Sequence, residues 1–412
     1  MNVSSFLKVS NPKRTEVYHR YTSAMRRPFH RVCWFALVCL VLGGCGARSG
    51  PAAVPAPPPA AAASAPAPTP PTAVAADALP ARFDDQTFWS LIGDLSEPGG
   101  SFRSDNLLSN ELHMQDVIPQ LTETVKPRRV YLGVGPEQNF TYIAAIRPSM
   151  VFIVDIRRGN LDLHLLYKAL FELSRDRAEF ISRLFARPRP RDLKPQPTVN
   201  DIFEAIDGEQ TDEATFTANL QEVMDHLTKT RHLPLLDEDV AGIQYVYRAF
   251  QMFGPGLTYW STGGFGGRMG RTAPTYWDLM LLTDEAQVNW SYLANDANFQ
   301  FIKSLEEQNL IVPIVGNFGG PKAIRAVGTY LKDHHAIVAA FYLSNVEQYL
   351  YGDGLWDAFC ANVATLPLDD SSTFIRSVRS GQFGYGPGGL TSVLGNMLEE
   401  TQNCRGSIFN PQ

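Results

Sequence analysis

Residues 130–158 read VYLGVGPEQNFTYIAAIRPSMVFIVDIRR, and this stretch decides the fold. Val130, Tyr131 and Leu132 form a short apolar run of the kind that fills a buried parallel strand. Gly133-Val134-Gly135 then lets the backbone turn sharply and approach a neighbour closely. Pro136 suits the first position of a helix, where no amide hydrogen is needed, so a helix is expected through Ile146. Arg147-Pro148 should end it, because the residue before proline avoids helical angles. MVFIVDI is the second strand, with Asp155 near its carboxyl end. An acid about 20 residues after the first glycine suits ribose hydroxyls in a βαβ unit. The alternative is that Gly133 and Gly135 only make a tight turn and Asp155 caps a loop. Arg157 and Arg158 are either solvated charge or a clamp for an anionic ligand.

The match to a GxGxxG turn is partial, because Gln138 stands at the third glycine. Glu137 lies in the first turn of the expected helix. A carboxylate there complements the helix dipole. It would also repel a pyrophosphate bound at the same helix end. NAD, FAD and ATP are therefore disfavoured. A ligand with a ribose, no phosphate and a positive charge fits better, and S-adenosylmethionine meets that description. The stretch YLGVGPEQNFTYI resembles the first motif of the class I S-adenosylmethionine-dependent methyltransferases, with Asp155 where their ribose-binding acid stands. The resemblance implies a Rossmann-like, doubly wound, mostly parallel α/β sheet. It also implies a cofactor set of Gly133, Gly135, Pro136, Glu137, Asn139, Asp155, Ile156 and Arg157.

The α/β rhythm returns at residues 310–350, LIVPIVGNFGGPKAIRAVGTYLKDHHAIVAAFYLSNVEQYL. Residues 310–315 read as a strand, with Pro313 a blemish. Residues 316–320 form a glycine turn, Pro321 opens a helix through Leu331, and residues 336–343 form the next strand. In the methyltransferase resemblance Asn317, with Phe318, would face the adenine. Ser344 and Asn345 would lie by the transferred group, as would Tyr259. Alternatively Asn317 caps a turn, and Ser344-x-x-Glu347 is an N-cap box.

Between these halves, residues 160–186 are periodic and read as one long amphipathic helix. Residues 187–300 are an insertion, helical over 199–250 and glycine-rich over 263–270. The glycine-rich part, after Tyr259-Trp260, is either a lid or a surface loop. Ahead of the first strand, FRSDNLLSNE at residues 102–111 crowds Asn106, Ser109, Asn110 and Glu111 together. That polar density either closes the open end of the pocket or forms a turn and a cap. Together DNLLSNE, GVGPEQNFTY, VDIRR, GNFGGP and FYLSNVEQYL resemble one uncharacterised bacterial family with a methyltransferase-like fold, over roughly residues 85–380.

The amino-terminal part reads differently. Arg26, Arg27 and Arg31 precede an apolar run at residues 32–42 that is too short to span a bilayer, and the run ends in Leu42-Gly43-Gly44-Cys45. This resembles a bacterial lipobox. It implies a signal peptide over 1–45, with Met25 a candidate start, lipidation of Cys45 and anchorage in the cell envelope, periplasmic or outer membrane. Residues 46–80 are rich in proline and alanine, nearly uncharged, and read as an extended spacer. The folded part is expected over 81–412.

Composition excludes other classes. Lys+Arg 36 against Asp+Glu 42 gives a net charge of -6, so no nucleic-acid partner is implied. No CxxC pair, HExxH, GxSxG or Walker loop occurs, and no metal is expected. Of the five cysteines only Cys360 and Cys404 belong to the folded part. They either form one disulfide or remain two small apolar residues. Two functions stay open. One is a methyltransferase acting on a small molecule or surface polymer, which an exported protein could supply with S-adenosylmethionine only with difficulty. The other is a non-catalytic, lipid-anchored protein that reuses the pocket for another small-molecule ligand or a partner.

Overall fold

The computed structural model describes residues 78–262, 273–379 and 390–404. The signal, Cys45, most of the spacer and the glycine-rich run at 263–272 lie outside the described residues. The folded part is an α/β structure around one six-stranded sheet. The strands are β1 (Val130–Gly133), β2 (Met150–Asp155), β3 (Ile311–Val315), β4 (Val338–Ser344), β5 (Thr373–Arg379) and β6 (Leu390–Asn396). Their order across the sheet is β3-β2-β1-β4-β5-β6. β1 pairs in parallel with β2 and β4, β2 with β3, and β4 with β5, while β6 runs antiparallel to β5. This topology is compatible with a Rossmann-like arrangement. The strand order reverses between β1 and β4, the place where an open α/β sheet makes a crevice at its carboxyl ends.

Each residue of β1, β2 and β3 is buried, as continuous apolar runs in a covered parallel sheet must be. Pro313 is no anomaly, because β3 is an edge strand and one side of its ladder needs no donor.

The helices in chain order are α1 (Asp85–Leu95), α2 (Ile118–Thr124), α3 (Gln138–Ile146), α4 (Arg158–Leu173), α5 (Arg177–Leu184), α6 (Val199–Gly208) and α7 (Glu213–Asp225). They continue with α8 (Asp237–Phe253), α9 (Tyr276–Met280), α10 (Asp296–Glu307), α11 (Ala323–Asp333), α12 (Val346–Gly352), α13 (Trp356–Val363) and α14 (Met397–Asn403). Helix α3 begins at Gln138, two residues beyond Pro136, and ends at Arg147 in the left-handed conformation (φ 52°). The segment expected as one helix over 160–186 is two. Asp176 caps α5 by accepting from Glu179 N at 2.9 Å, and the chain breaks there. Helix α4 is not amphipathic either. It is buried continuously from Asn160 to Phe171 because α8 and α10 cover the side turned from the sheet. Phe171 stacks on Phe180 at 4.4 Å, and Phe140, Tyr292 and Phe299 complete this aromatic core.

Cys360 and Cys404 are joined, with Cα atoms 5.8 Å apart, and tie α14 to α13. No helix among the described residues is long and apolar enough to cross a membrane.

Candidate functional site

The crevice at the carboxyl ends of the strands is crossed by the chain itself. Residues 97–111 run over the strand ends in the order in which the strands lie in the sheet. At β3, Glu97 N donates to Val315 O at 2.9 Å. At β2, Gly100 N donates to Ile156 O at 2.8 Å, and the Arg157 guanidinium donates to Asp105 O. At β1, Ser109 N donates to Glu137 Oε1 at 3.3 Å. At β4, Glu111 Oε1 accepts from Tyr342 OH at 2.7 Å and Ser344 Oγ at 2.6 Å. We call this segment the strap. Two outer contacts hold it down: Tyr245 OH of α8 donates to Asp105 Oδ2 at 2.6 Å, and Arg103 donates to Tyr349 OH of α12 at 3.0 Å.

The glycine turn after β1 is filled by protein. A Cβ at Gly133 would lie 2.0 Å from Asn139 Oδ1, so glycine there makes room for the chain's own asparagine. Asn139 Nδ2 donates to Val134 O, Gly135 O and Pro136 O, and its Oδ1 accepts from Tyr131 OH at 2.9 Å. Gly135 is needed for its backbone, with φ +76°. His164 Nε2 lies 2.9 Å from Gly135 O. A carbonyl can only accept, so Nε2 carries the proton and Nδ1 keeps a lone pair. Burial lowers the His164 pKa to about 4, so the ring is neutral.

Glu137 sits at the amino-terminal end of α3 and is fully buried. Burial pushes its pKa up to about 8, with neighbouring Glu111 adding to the shift. At neutral pH Glu137 is therefore largely uncharged, and the repulsion of a phosphate expected from its sequence position disappears. Burial also raises Glu111, against the bonds it receives from Ser344, Ser377 and Tyr342. Glu137 leaves one buried oxygen, Oε2, without a partner.

Asp155 is 4% exposed and committed to Arg157. Its Oδ1 accepts from Arg157 N at 2.9 Å and Nε at 3.0 Å, and its Oδ2 from the guanidinium at 2.9 Å. Arg157 is thus neither solvated nor free to clamp an anion. Ile156 uses its carbonyl to hold the strap. Asn317 makes a local turn, its Oδ1 accepting from Gly319 N at 2.9 Å, while its own N–H donates to Glu97 Oε1 at 2.6 Å. Phe318 is core, 5.0 Å from the Phe341 ring centroid.

Ser344 does not cap α12. It adopts φ 49° and points its hydroxyl at Glu111, while Glu347 pairs with Arg376 at 2.8 Å, so both halves of the expected capping box are used elsewhere. Asn345 occupies the cap position without a side-chain cap bond. Tyr259 packs edge-on against Trp260 at 4.7 Å. It also lies near Arg103, whose pKa is held up by its bond to Tyr349 and, to a lesser degree, by Tyr259. Ser344 thus ends β4 with Asn345 directly after it, while the glycine-turn residues and Asp155 lie at the ends of β1 and β2.

Sequence reading missed the roles of Tyr342, Gln138 and His164. Gln138 Nε2 donates to Tyr342 OH at 2.7 Å, and Tyr342 OH donates in turn to Glu111. A second acid pair, Asp162 with Asp239, lies between α4 and α8. Burial, and then the Asp239 charge, raise Asp162 to about 8. Two surface clefts, one beside Asp85 and Trp89 and one beside Leu366 and Leu398, lie toward the amino ends of the strands, away from the strap. Among the described residues no group of three or more His, Cys, Asp or Glu could hold a metal ion.

Fold and site define an α/β protein whose strand-end crevice is bridged by its own chain and holds two buried acids, Glu111 and Glu137, that burial pushes toward the neutral form. The chain belongs to the family described as "Domain of unknown function (DUF7790)", which it matches over residues 107–234 and 267–405. The matched residues include Glu111, Glu137, Asp155 and Ser344, whereas α8 lies in the unmatched gap. No curated protein matches the chain.

Proposed function

We propose that the chain is a non-catalytic ligand-binding protein of the cell envelope, lipid-anchored through Cys45, that reuses a Rossmann-like doubly wound frame. The observation that carries this reading is the Asp155–Arg157 pair. A ribose-binding acid needs acceptor capacity turned to the ligand, and both Asp155 oxygens accept from Arg157. The cradle at Gly133 holds Asn139, the adenine-side candidate Phe318 is core, and the strap spans the strand ends. These residues do not fit S-adenosylmethionine, so no methyl-transfer step is derived. The lipobox-like sequence and the Cys360–Cys404 disulfide both suit an oxidising compartment outside the cytoplasm.

One observation favours the methyltransferase reading instead. The positive-φ glycine turn and Asp155 stand at the carboxyl ends of adjacent strands, Gly133 in register with Ile153. Calorimetry of the purified protein separates the two. We expect no saturable heat with S-adenosylmethionine up to about 1 mM, a level that would still reveal binding of only about 4 kcal/mol. Saturable binding that Asp155→Ala abolishes would restore the methyltransferase and the cofactor set around Gly133, with Asn345 and Tyr259 beside the transferred group. For the anchor, the wild type is expected in the membrane fraction and Cys45→Ser in the soluble envelope fraction. Retention of Cys45→Ser in the membrane would remove the lipid.

A further inference from the structure

Helices α4 and α8 meet through two carboxyl groups. Asp162 in the second turn of α4 and Asp239 in the first turn of α8 are both buried, and their carboxyls are within hydrogen-bond reach of each other. Helix α8 comes this close because residue 242 is glycine: a Cβ there would lie 2.0 Å from Asp162 Oδ2. Donors reach only one of the two acids. Asp239 Oδ1 accepts from Arg158 Nε at 2.7 Å and Nη2 at 2.6 Å, and its Oδ2 accepts from Leu236 N at 2.9 Å. Asp162 accepts from no described residue, and its Oδ1 is buried without a partner. Two buried carboxyls in contact repel strongly when both are ionised, so one proton stays between them. The donors decide where it sits. Asp239 is the carboxylate, and Asp162 is the acid that donates to it. The same two helices grip the strap. Arg157, directly before α4, donates to Asp105 O, and Tyr245 of α8 donates to Asp105 Oδ2 at 2.6 Å. Asp105 is thus held from both sides only while α8 lies against α4.

We propose that the strap is latched by this proton: while Asp162 carries it, α8 lies against α4 and Tyr245 holds Asp105, and when Asp162 gives it up to solvent, α8 draws away and the strap comes loose around Asp105. The latch is independent of what the crevice binds. The charged groups facing Asp162 are Glu238 and Asp239 from α8 and Arg158 from its own helix. Arg158 already pairs with both α8 acids, reaching Glu238 at 3.3 Å. Ionisation of Asp162 therefore sets three carboxylates against one guanidinium. Burial, and then Asp239, raise Asp162 to about 8. A raised acid stabilises the docked helix below that value and loses this contribution as pH rises through it, so the latch is closed at neutral pH and opens above about pH 8. Tyr245 is not the group that titrates, since burial and Asp105 raise it to about 12. Each pH unit above the Asp162 value shifts the balance by up to about tenfold, the scale of a single hydrogen bond such as Tyr245 to Asp105.

The test is limited trypsin cleavage of the purified full-length protein after Arg103, an exposed residue of the strap. The fragment is read by mass from pH 7 to 9.5, and its rate is divided by that of a short unstructured peptide at the same pH. Cleavage of the wild type should be slow and flat up to about pH 7.5, then rise by up to about tenfold per pH unit above 8, following the population of the open strap. Asp162→Asn keeps a donor for Asp239 and cannot ionise, so its strap should stay resistant across the range; its melting temperature at pH 7 shows that it has folded. Tyr245→Phe cuts the latch and leaves the acids alone. Tyr245 is 51% exposed, so this variant keeps the fold whatever the fate of Asp162→Asn. It should be cleaved at pH 7 about as fast as the wild type at pH 9.5, with little further change. A flat wild type, an Asp162→Asn that rises as the wild type does, or a Tyr245→Phe that is resistant at pH 7 overturns the latch.

Discussion

Two glycine turns leave the sheet at the carboxyl ends of β1 and β3, and the strap meets an acid at each: its own Glu97 at β3, and Glu137, through Ser109 N, at β1. At β3 the acid is satisfied. Glu97 accepts from Asn317 N at 2.6 Å through one oxygen and from Lys322 N at 3.1 Å through the other. It stands where an anionic ligand would sit and closes the turn around itself. At β1 the acid is not satisfied. Glu137 keeps a buried oxygen without a partner and is pushed toward the neutral form. A glycine turn alone therefore does not mark a ligand site. The state of the acceptors around it separates the two: the β3 turn is a clasp closed on Glu97, whereas the β1 turn keeps a buried acid with one oxygen unpartnered.

The largest expected effect comes from cutting the strap's central tie. Arg157→Ala leaves Asp155 buried and unpaired and releases Asp105, so urea unfolding should show a loss of about 3–5 kcal/mol. A loss below about 1 kcal/mol would mean that the ion pair is not what holds the strap. Opening the clasp at β3 comes next. Glu97→Ala removes two bonds to a charged acceptor and should cost about 2–3 kcal/mol. Loosening the rim is smallest. Tyr349→Phe removes one exposed bond to Arg103 and should cost about 0.5 kcal/mol. If Tyr349→Phe cost as much as Glu97→Ala, the strap would be anchored at its rim instead of at β3.

Much of the fold could be read from local signals. Residues 130–155 gave the strand, turn, helix and strand because each carries a short-range rule: an apolar run, paired glycines, a proline, and an acid at the right spacing. Pro313 needed only the observation that β3 is an edge. The strap could not be read this way. Its bonds join Glu111 to Tyr342 and Asn317 to Glu97, residues more than two hundred positions apart, and no periodicity announces such contacts. The crowded polar residues at 102–111 carried two readings, and they lie in the segment that crosses the strand ends. Glu137 was misjudged for the same reason: its place in a helix's first turn reads as a charge, but the strap and the cluster of tyrosines bury it. Phe318 and Asn317 looked like a base-binding pair, and only the packing of Phe341 and the arrival of Glu97 give them other work. The break of α4 from α5 did carry a signal, Asp176-x-x-Glu179, overshadowed by the hydrophobic periodicity around it.

The contrast between the two turns rests on Glu137 being buried, neutral and uncommitted. An acid whose folded pKa is raised above its unfolded value stabilises most at low pH and loses that contribution as pH rises through the folded value. The direct measurement is urea unfolding of wild type and Glu137→Gln from pH 6.5 to 8. Wild type should lose about 1–2 kcal/mol more than Glu137→Gln over this window, as Glu137 approaches its value of about 8. Asp162 and Glu306, also raised to about 8, slope both curves equally. Parallel curves would show that Glu137 is already ionised at neutral pH, and the distinction between the two turns would fall.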